Sequence, residues 1–268
     1  MNDTAAPAPV ALLTGAARGI GAATARRLAA DGWNLVLVDR CADDPALRYA
    51  LATEEDLRAT AAAAGGSDRT ATLVGDVRDR DAMAAAVELA RARFGGLDAA
   101  VGFAGVIEGG VPLWQMPDDQ WDAVVDVSLT GTRNLAAAAI PAMLERPEPR
   151  RGRFVGIASA AALGGYEGIT AYSAAKAGII ALIKGLAADL GDTGITANAV
   201  CPGSTDTDIL VASAALYGIV DVAAFATNHT DKRILRPEEL AAAIAWVLSA
   251  DASAVTGATI PVDGGMSV

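Results

Sequence analysis

The sequence predicts an α/β domain built on one doubly wound parallel sheet with helices on both faces, a three-layer α/β/α arrangement. Two observations carry that reading. Short apolar runs alternate with longer amphipathic or Ala-rich stretches from residue 10 onward, the pattern of repeated βα units. No linker or change of composition interrupts the alternation, so 10–268 reads as a single domain behind a flexible N-terminus, 1–9.

Composition narrows the function classes. The chain has 268 residues, 53% hydrophobic and 20% charged, enough for one large core. A net charge of −11, with no basic stretch interleaved with aromatics, argues against a nucleic-acid partner. Cys41 and Cys201 lie far apart, which fits a reduced, cytoplasmic protein without a disulfide framework. His229 is the only histidine, so a metal site needing several imidazoles is excluded; no metal is expected, and His229 reads as a loop residue. Residues 1–9 lack the basic and apolar regions of a signal peptide. The Ala-rich stretches are broken by Asp, Lys or Gly, so no membrane span is expected.

Taken in order, 10–14 is an apolar strand running into Thr14-Gly15-Ala-Ala17-Arg18-Gly19-Ile20-Gly21, and 22–31 is the helix that follows. Strand, glycine-rich turn and helix make a phosphate-binding geometry: the backbone approaches a pyrophosphate and the helix N-terminus offers free N–H groups. Residues 35–39 form the next strand and end in Asp39, eighteen residues after Gly21, close to where an acid reads the ribose hydroxyls of a dinucleotide. Arg40 follows it. The segment 41–68 is longer than a simple connection needs; Thr53 followed by Glu54, Glu55 and Asp56 reads as a helix start, and Gly65-Gly66 as its stop. Strand 71–74 leads to Asp76-Val77, helix 79–94 stops at Gly95-Gly96, and strand 99–103 ends at Ala104-Gly105. Residues 121–144 read mostly as one helix with a kink at Pro141. Strand 154–158, a helix from Tyr172 to Leu190, and strand 195–200, which ends near Pro202-Gly203, complete the middle. The stretch 204–236 lacks strong periodicity and reads as a long functional loop, a substrate lid. Helix 237–248 and strand 259–262 close the chain.

The chemistry centres on Ser159 to Lys176. Ser159 ends a strand, while Tyr172 and Lys176 stand four apart and share a helix face. A phenol near an ammonium suits proton transfer to or from an oxygen, because the cation favours the phenolate. A serine hydroxyl can hold that oxygen.

Together, the Gly15–Gly19–Gly21 turn, Asp76-Val77, Ala104-Gly105, Ser159, Tyr172-x-x-x-Lys176 and Pro202-Gly203 resemble the short-chain dehydrogenase/reductase family in content and order, over nearly the whole chain. The resemblance implies a Rossmann-type subunit transferring a hydride between a nicotinamide cofactor and an alcohol or carbonyl carbon. It makes Tyr172 the acid/base, Ser159 the group that binds the substrate oxygen, and Lys176 a ligand of the nicotinamide ribose. Thr205 and Thr207 then fall where the nicotinamide end binds. Two positions depart from the family pattern: Gly102-Phe103 replaces a pair of asparagines, and Ser128 stands where a catalytic asparagine is usual. The 41–68 segment, the stretch from Gly105 to Trp114 and the stretch 146–154 resemble the mycofactocin-coupled branch, which implies a tightly held, non-exchangeable cofactor recycled by mycofactocin as redox partner. Asp39 favours NAD over NADP, since a carboxylate repels a 2′-phosphate; Arg18 and Arg40 pull the other way.

An apolar small-molecule alcohol or ketone is the expected substrate, with Phe103, Tyr166, Leu210, Leu216, Tyr217 and Phe225 as candidate pocket residues. The family implies a homotetramer, and the small-residue stripe Gly178, Ala181, Gly185, Ala188 suits close helix contact. Two alternatives stay open. A ketoacyl-thioester reductase shares the fold and the Ser-Tyr-Lys set; 146–153 could give it a basic patch for an acidic carrier, whereas the acidic chain and Asp39 argue against it. A non-catalytic NAD(H)-binding protein fits the lost asparagines but not the intact Ser159, Tyr172 and Lys176.

Overall fold

Side-chain alternation along the strands builds the layers. The computed structural model describes residues 7–268, so most of the expected N-terminal segment lies outside the described residues. In β1 (Val10–Thr14) and β2 (Asn34–Asp39), Leu12, Val36 and Val38 face one layer while Leu13, Leu35 and Leu37 face the other. Burial on both faces is what a parallel sheet between two helical layers imposes. The other strands are β3 (Thr70–Val74), β4 (Ala99–Gly102), β5 (Arg153–Ile157), β6 (Thr196–Pro202) and β7 (Thr259–Val262). All seven pair in parallel in the order β3-β2-β1-β4-β5-β6-β7. The chain reverses direction across the sheet between β1 and β4, and the crevice outside their C-terminal ends is where such sheets bind ligands.

Leu28 of α1 (Gly19–Ala30), Leu57 of α2 (Glu54–Ala63) and Leu240 and Ile244 near the C-terminus fill one layer. Met83 and Val87 of α3 (Arg80–Phe94), with Leu135, Ile179 and Ile183, fill the other. Thr53 caps α2 as expected: its hydroxyl accepts from Asp56 N–H and the Asp56 carboxylate accepts from Thr53 N–H.

Several expectations are corrected. The stretch 118–144 is not one regular helix: α4 (Asp118–Val125) and α5 (Gly131–Leu144) are joined by a π-helical turn, Asp126–Thr130, containing Ser128. The loop expected over 204–236 is folded. It carries α7 (Asp208–Leu216) and a 3-10 segment, Val222–Asn228. Its ends are pinned together, Asp206 N–H to the Leu235 carbonyl and Leu235 N–H to the Ser204 carbonyl. The sequence Asp-Ile-Leu-Val-Ala-Ser-Ala-Ala-Leu of α7 is apolar on nearly every side, so it shows no amphipathic period.

His229 lies in a loop but is fully buried, its Nε2 accepting from Ser204 N–H at 3.0 Å. α6 (Thr170–Asp189) is, by length and composition alone, apolar enough to cross a membrane, contrary to the sequence reading; it packs on the sheet through Ile179 and Ile183. Its small-residue stripe divides. A methyl group at Gly178 would lie 2.7 Å from Leu129 of the same chain, whereas Ala181, Gly185 and Ala188 are exposed. α8 (Pro237–Leu248) completes the layer beside α1.

Phe154 in β5 is fully buried at the sheet centre. Phe154→Ala is expected to cost about 3–5 kcal/mol. Urea unfolding followed by circular dichroism measures it, and a midpoint unchanged from wild type would contradict the assignment of this core.

Candidate active site

At the reversal of the sheet two backbones nearly touch. Gly15 adopts φ +65, and a side chain there would lie 2.6 Å from Ala104 N; one at Gly21 would lie 2.2 Å from the Gly15 carbonyl oxygen. Only glycine permits both approaches, which bring the first turn, the start of α1 and the end of β4 onto one crevice. Asp39, at the end of β2, closes the turn from the side: its Oδ2 accepts from Ala17 N–H at 3.0 Å.

A cavity of about 720 Å³ runs along these strand ends. It brings together Gly15, Arg18, Gly19, Ile20, Gly21, Asp39, Arg40, Asp76, Val77, Ala104, Gly105, Ser159, Tyr172, Lys176, Pro202, Gly203, Thr205 and Thr207. Two of the expected residues stand outside it. Ala17 is buried behind the turn, and Ser128 lies behind Lys176. Of the expected pocket residues, Phe103, Tyr166, Leu210, Tyr217 and Phe225 line the cavity. Leu216 packs instead with Ile107, Ala161, Ile169 and Ala212.

Ser159 follows β5 and caps a short helical turn, its Oγ accepting from Ala161 N–H at 3.1 Å. Tyr172 and Lys176 project from the first turns of α6. Lys176 Nζ donates to the Ile157 carbonyl at 2.8 Å and stands 5.7 Å from the Tyr172 ring centroid. Burial lowers the Lys176 pKa to about 8. Burial also pushes the Tyr172 phenol up, while the Ser159 hydroxyl pulls the other way. The direction is opposite to the one expected from Lys176: removal from water dominates. Gly105 separates Lys176 from Ser128, since a methyl there would lie 3.0 Å from Lys176 Nζ and 3.5 Å from Ser128 Oγ. Ser128 Oγ is buried with no hydrogen-bond partner among the described residues, and Thr132 Oγ1 donates to the Ser128 carbonyl at 2.7 Å. Thr132 also faces Gly102, one of the two positions without the family's asparagine.

The 41–68 segment contributes residues that the sequence reading missed. The chain turns away from the sheet at Cys41, a non-glycine at φ 54, then comes back so that Asp44, Leu47, Tyr49, Leu51 and Ala52 line the cavity. Asp44 is buried between two guanidinium groups, Arg40 (2.6 Å) and Arg78 (3.0 Å), and both arginines also pair with Asp76. Burial opposes the charge on Asp44, yet the Ala46 N–H and the two arginines hold its carboxyl below the ordinary range. Arg48 makes a two-pronged pair with the fully buried Glu108, whose other oxygen accepts from Arg48 N–H at 2.7 Å. Arg18 ties two covers together: its guanidinium donates to the Ala50 carbonyl and pairs with Asp208 at the start of α7. The only sequence signal for these contacts was the unusual length of the segment.

The family model described as enoyl-(acyl carrier protein) reductase matches residues 15–267. Among curated proteins, an uncharacterized oxidoreductase of Mycobacterium tuberculosis is 37% identical over 99% of this chain and 98% of its own length. Cis-4-hydroxycyclohexanecarboxylate dehydrogenase of Sinomonas cyclohexanicum is 37% identical over 96% of this chain and 95% of its own. The chain belongs to the short-chain dehydrogenase/reductase family. Among solved structures, carveol dehydrogenase from Mycobacterium avium in complex with NAD superposes with a TM-score of 0.91, at 31% identity over 97% of this chain and 98% of the other. Relatives in the family are named as dehydrogenases and oxidoreductases, and this chain is an enzyme of that kind.

The lowered Lys176 pKa has a consequence for stability. The unfolded chain holds the lysine proton up to about 10.5 and the folded one only to about 8, so folding is penalised below 8 and the penalty fades as pH rises from 8 to 10.5. Lys176→Met is therefore expected to exceed wild type in Tm at pH 7, by an increment that shrinks toward pH 10. Thermal unfolding of both proteins across that range, after each has been refolded from denaturant free of nucleotide, is the check; a constant difference would contradict the buried ammonium.

Proposed function

We propose that the protein is an NAD-dependent oxidoreductase interconverting a secondary alcohol and a ketone, with Ser159, Tyr172 and Lys176 as its acid/base set. One observation carries this: the three side chains line the same cavity as the glycine-rich turn and Asp39. The residues fit a dinucleotide. Gly15 to Gly21 offer backbone to a pyrophosphate, and Asp39, with Oδ2 on Ala17 N–H, has Oδ1 for a ribose hydroxyl. Arg18 and Arg40, the two cations that could welcome a 2′-phosphate, are engaged by Asp208 and by Asp44 and Asp76. That favours NAD over NADP. Asp76 and Val77 border the adenine end; Pro202, Gly203, Thr205 and Thr207 border the nicotinamide end.

When bound, NAD supplies the hydride acceptor or donor. In the oxidation direction Ser159 would hold the substrate oxygen, and Tyr172, first ionised to the phenolate, would take its proton as the carbon loses hydride. Lys176 keeps positive charge beside the phenolate. Ser128 stands behind Lys176 and would serve in place of the family's asparagine. Apolar lining from Phe103, Tyr166, Leu210, Tyr217 and Phe225 supports an apolar substrate. The relatives named for carveol and for a hydroxycyclohexane acid support a ring alcohol.

Reduction of an acyl thioester is the second reading, favoured by the description of the matched family model. Of the four arginines in the patch it would use, three are spent internally and Arg151 is exposed. Arg146 pairs with Asp98, Arg150 bonds the Leu144 and Arg146 carbonyls and Glu148, and Arg153 is buried.

The cover made by 41–68 and 204–236 supports retention of the cofactor between turnovers, with a redox carrier such as mycofactocin recycling it in place. Exposed Ala181, Gly185 and Ala188 on α6, and the half-exposed edge strand β7, support a homotetramer. Two unpaired cysteines support a reducing, cytoplasmic setting.

Tyr172→Phe should lower turnover on the alcohol by on the order of 10²–10⁴-fold with cofactor binding retained; activity near wild type would refute the acid/base assignment. Native mass spectrometry of the protein as purified should show a tetramer carrying NAD or NADH. Arg18→Ala, which unties both covers, should release that nucleotide on dialysis, whereas wild type keeps it. Equal loss from both proteins would rule out retention by the clasp.

A further inference from the structure

We propose that Tyr49, carried in by the 41–68 segment, is a specificity-determining residue of the substrate compartment, held in place from outside the cavity by the Arg48–Glu108 pair. The inference rests on the alcohol–ketone reading above and deepens it.

Tyr49 lines the cavity and packs in the two hydrophobic clusters that meet at Tyr172. One cluster holds Val106, Ala171 and Ala175, beneath the candidate acid/base; the other holds Ile107, Ala161 and Ala212, on the side covered by α7. An aromatic ring at that junction sets how wide a molecule can be while its oxygen still reaches Tyr172. Its placement is doubly determined. The phenol oxygen accepts from Ile107 N–H at 3.0 Å, so the ring cannot swing without stranding a backbone donor. Next to it, Arg48 grips Glu108 with both its guanidinium and its backbone N–H, and donates to the Gly109 carbonyl at 2.7 Å. Residues 48 and 49 are thus bolted to 107–109, the strip that follows Ala104-Gly105. The anchor is strong because Glu108 is fully buried: a carboxylate there is tolerated only with its cation in place. The Tyr49 O–H donates no hydrogen bond among the described residues, which leaves it free for an acceptor on the substrate.

Arg48 and Glu108 touch no reacting atom, so they are positioning residues. Breaking the pair with Arg48→Ala alone would strand the buried carboxylate; Arg48→Ala with Glu108→Gln removes it while leaving an acceptor for residue 48 N–H.

The test separates substrate fit from turnover. Dissociation constants for cyclohexanone and for progesterone, one narrow and one bulky ketone, are measured by calorimetry on Tyr172→Phe protein charged with NADH. Adding Tyr49→Ala should shift the ratio of the two constants about tenfold toward the bulky ketone, the scale on which a pocket wall discriminates. The Arg48→Ala, Glu108→Gln pair should shift it in the same direction, with circular dichroism and NADH fluorescence unchanged. An unchanged ratio, or equal weakening of both ketones, would overturn the proposal. Oxidation of cyclohexanol by wild type tests the underlying reading separately, so the two can fail independently.

Discussion

The close approach of Gly15 to Ala104 is the constraint on which the site depends. β1 and β4 are neighbours in the sheet, but their continuations leave in opposite directions, toward α1 and toward 105–112. With no side chain between them, the turn after β1 lies against the end of β4. Asp39 then reaches Ala17 N–H from the next strand, and Gly105 leaves just enough room for Lys176. A methyl group at any of these contacts would push apart the two walls of the cavity. Catalytic geometry in this fold thus begins with backbone packing, and the side chains follow.

Electrostatics around the cavity divide into two regimes. Beside Asp39 charges are balanced in pairs: Asp44 and Asp76 face Arg40 and Arg78, and each carboxyl is held below its ordinary range. Around Lys176 and Tyr172 burial dominates. Lys176 has only a carbonyl, and Tyr172 only a hydroxyl, so both are pushed toward their neutral forms. Among the described residues no ion pair holds either side chain in its charged form.

Much of this was legible in the sequence because it rests on local pattern. Glycine spacing, strand-terminal Asp39, Ser159 and the Tyr172–Lys176 interval all follow from neighbours in the chain, and all reach the expected cavity. What escaped is tertiary. Glu108 and Arg48 are sixty residues apart, and no local pattern links them. α7 is too uniformly apolar to show a helical period. His229 looks like a loop polar residue and is one, but the loop folds inward and buries it. The π-helical turn at Ser128 has no sequence marker, since it differs from α-helix only by one extra residue in the hydrogen-bonded ring.

Arg18 has one guanidinium for two partners, the Ala50 carbonyl and Asp208. The two covers therefore share a hinge-pin. Movement of either one draws the arginine out of register with the other. The position of each segment is thereby tied to that of the other through a single side chain.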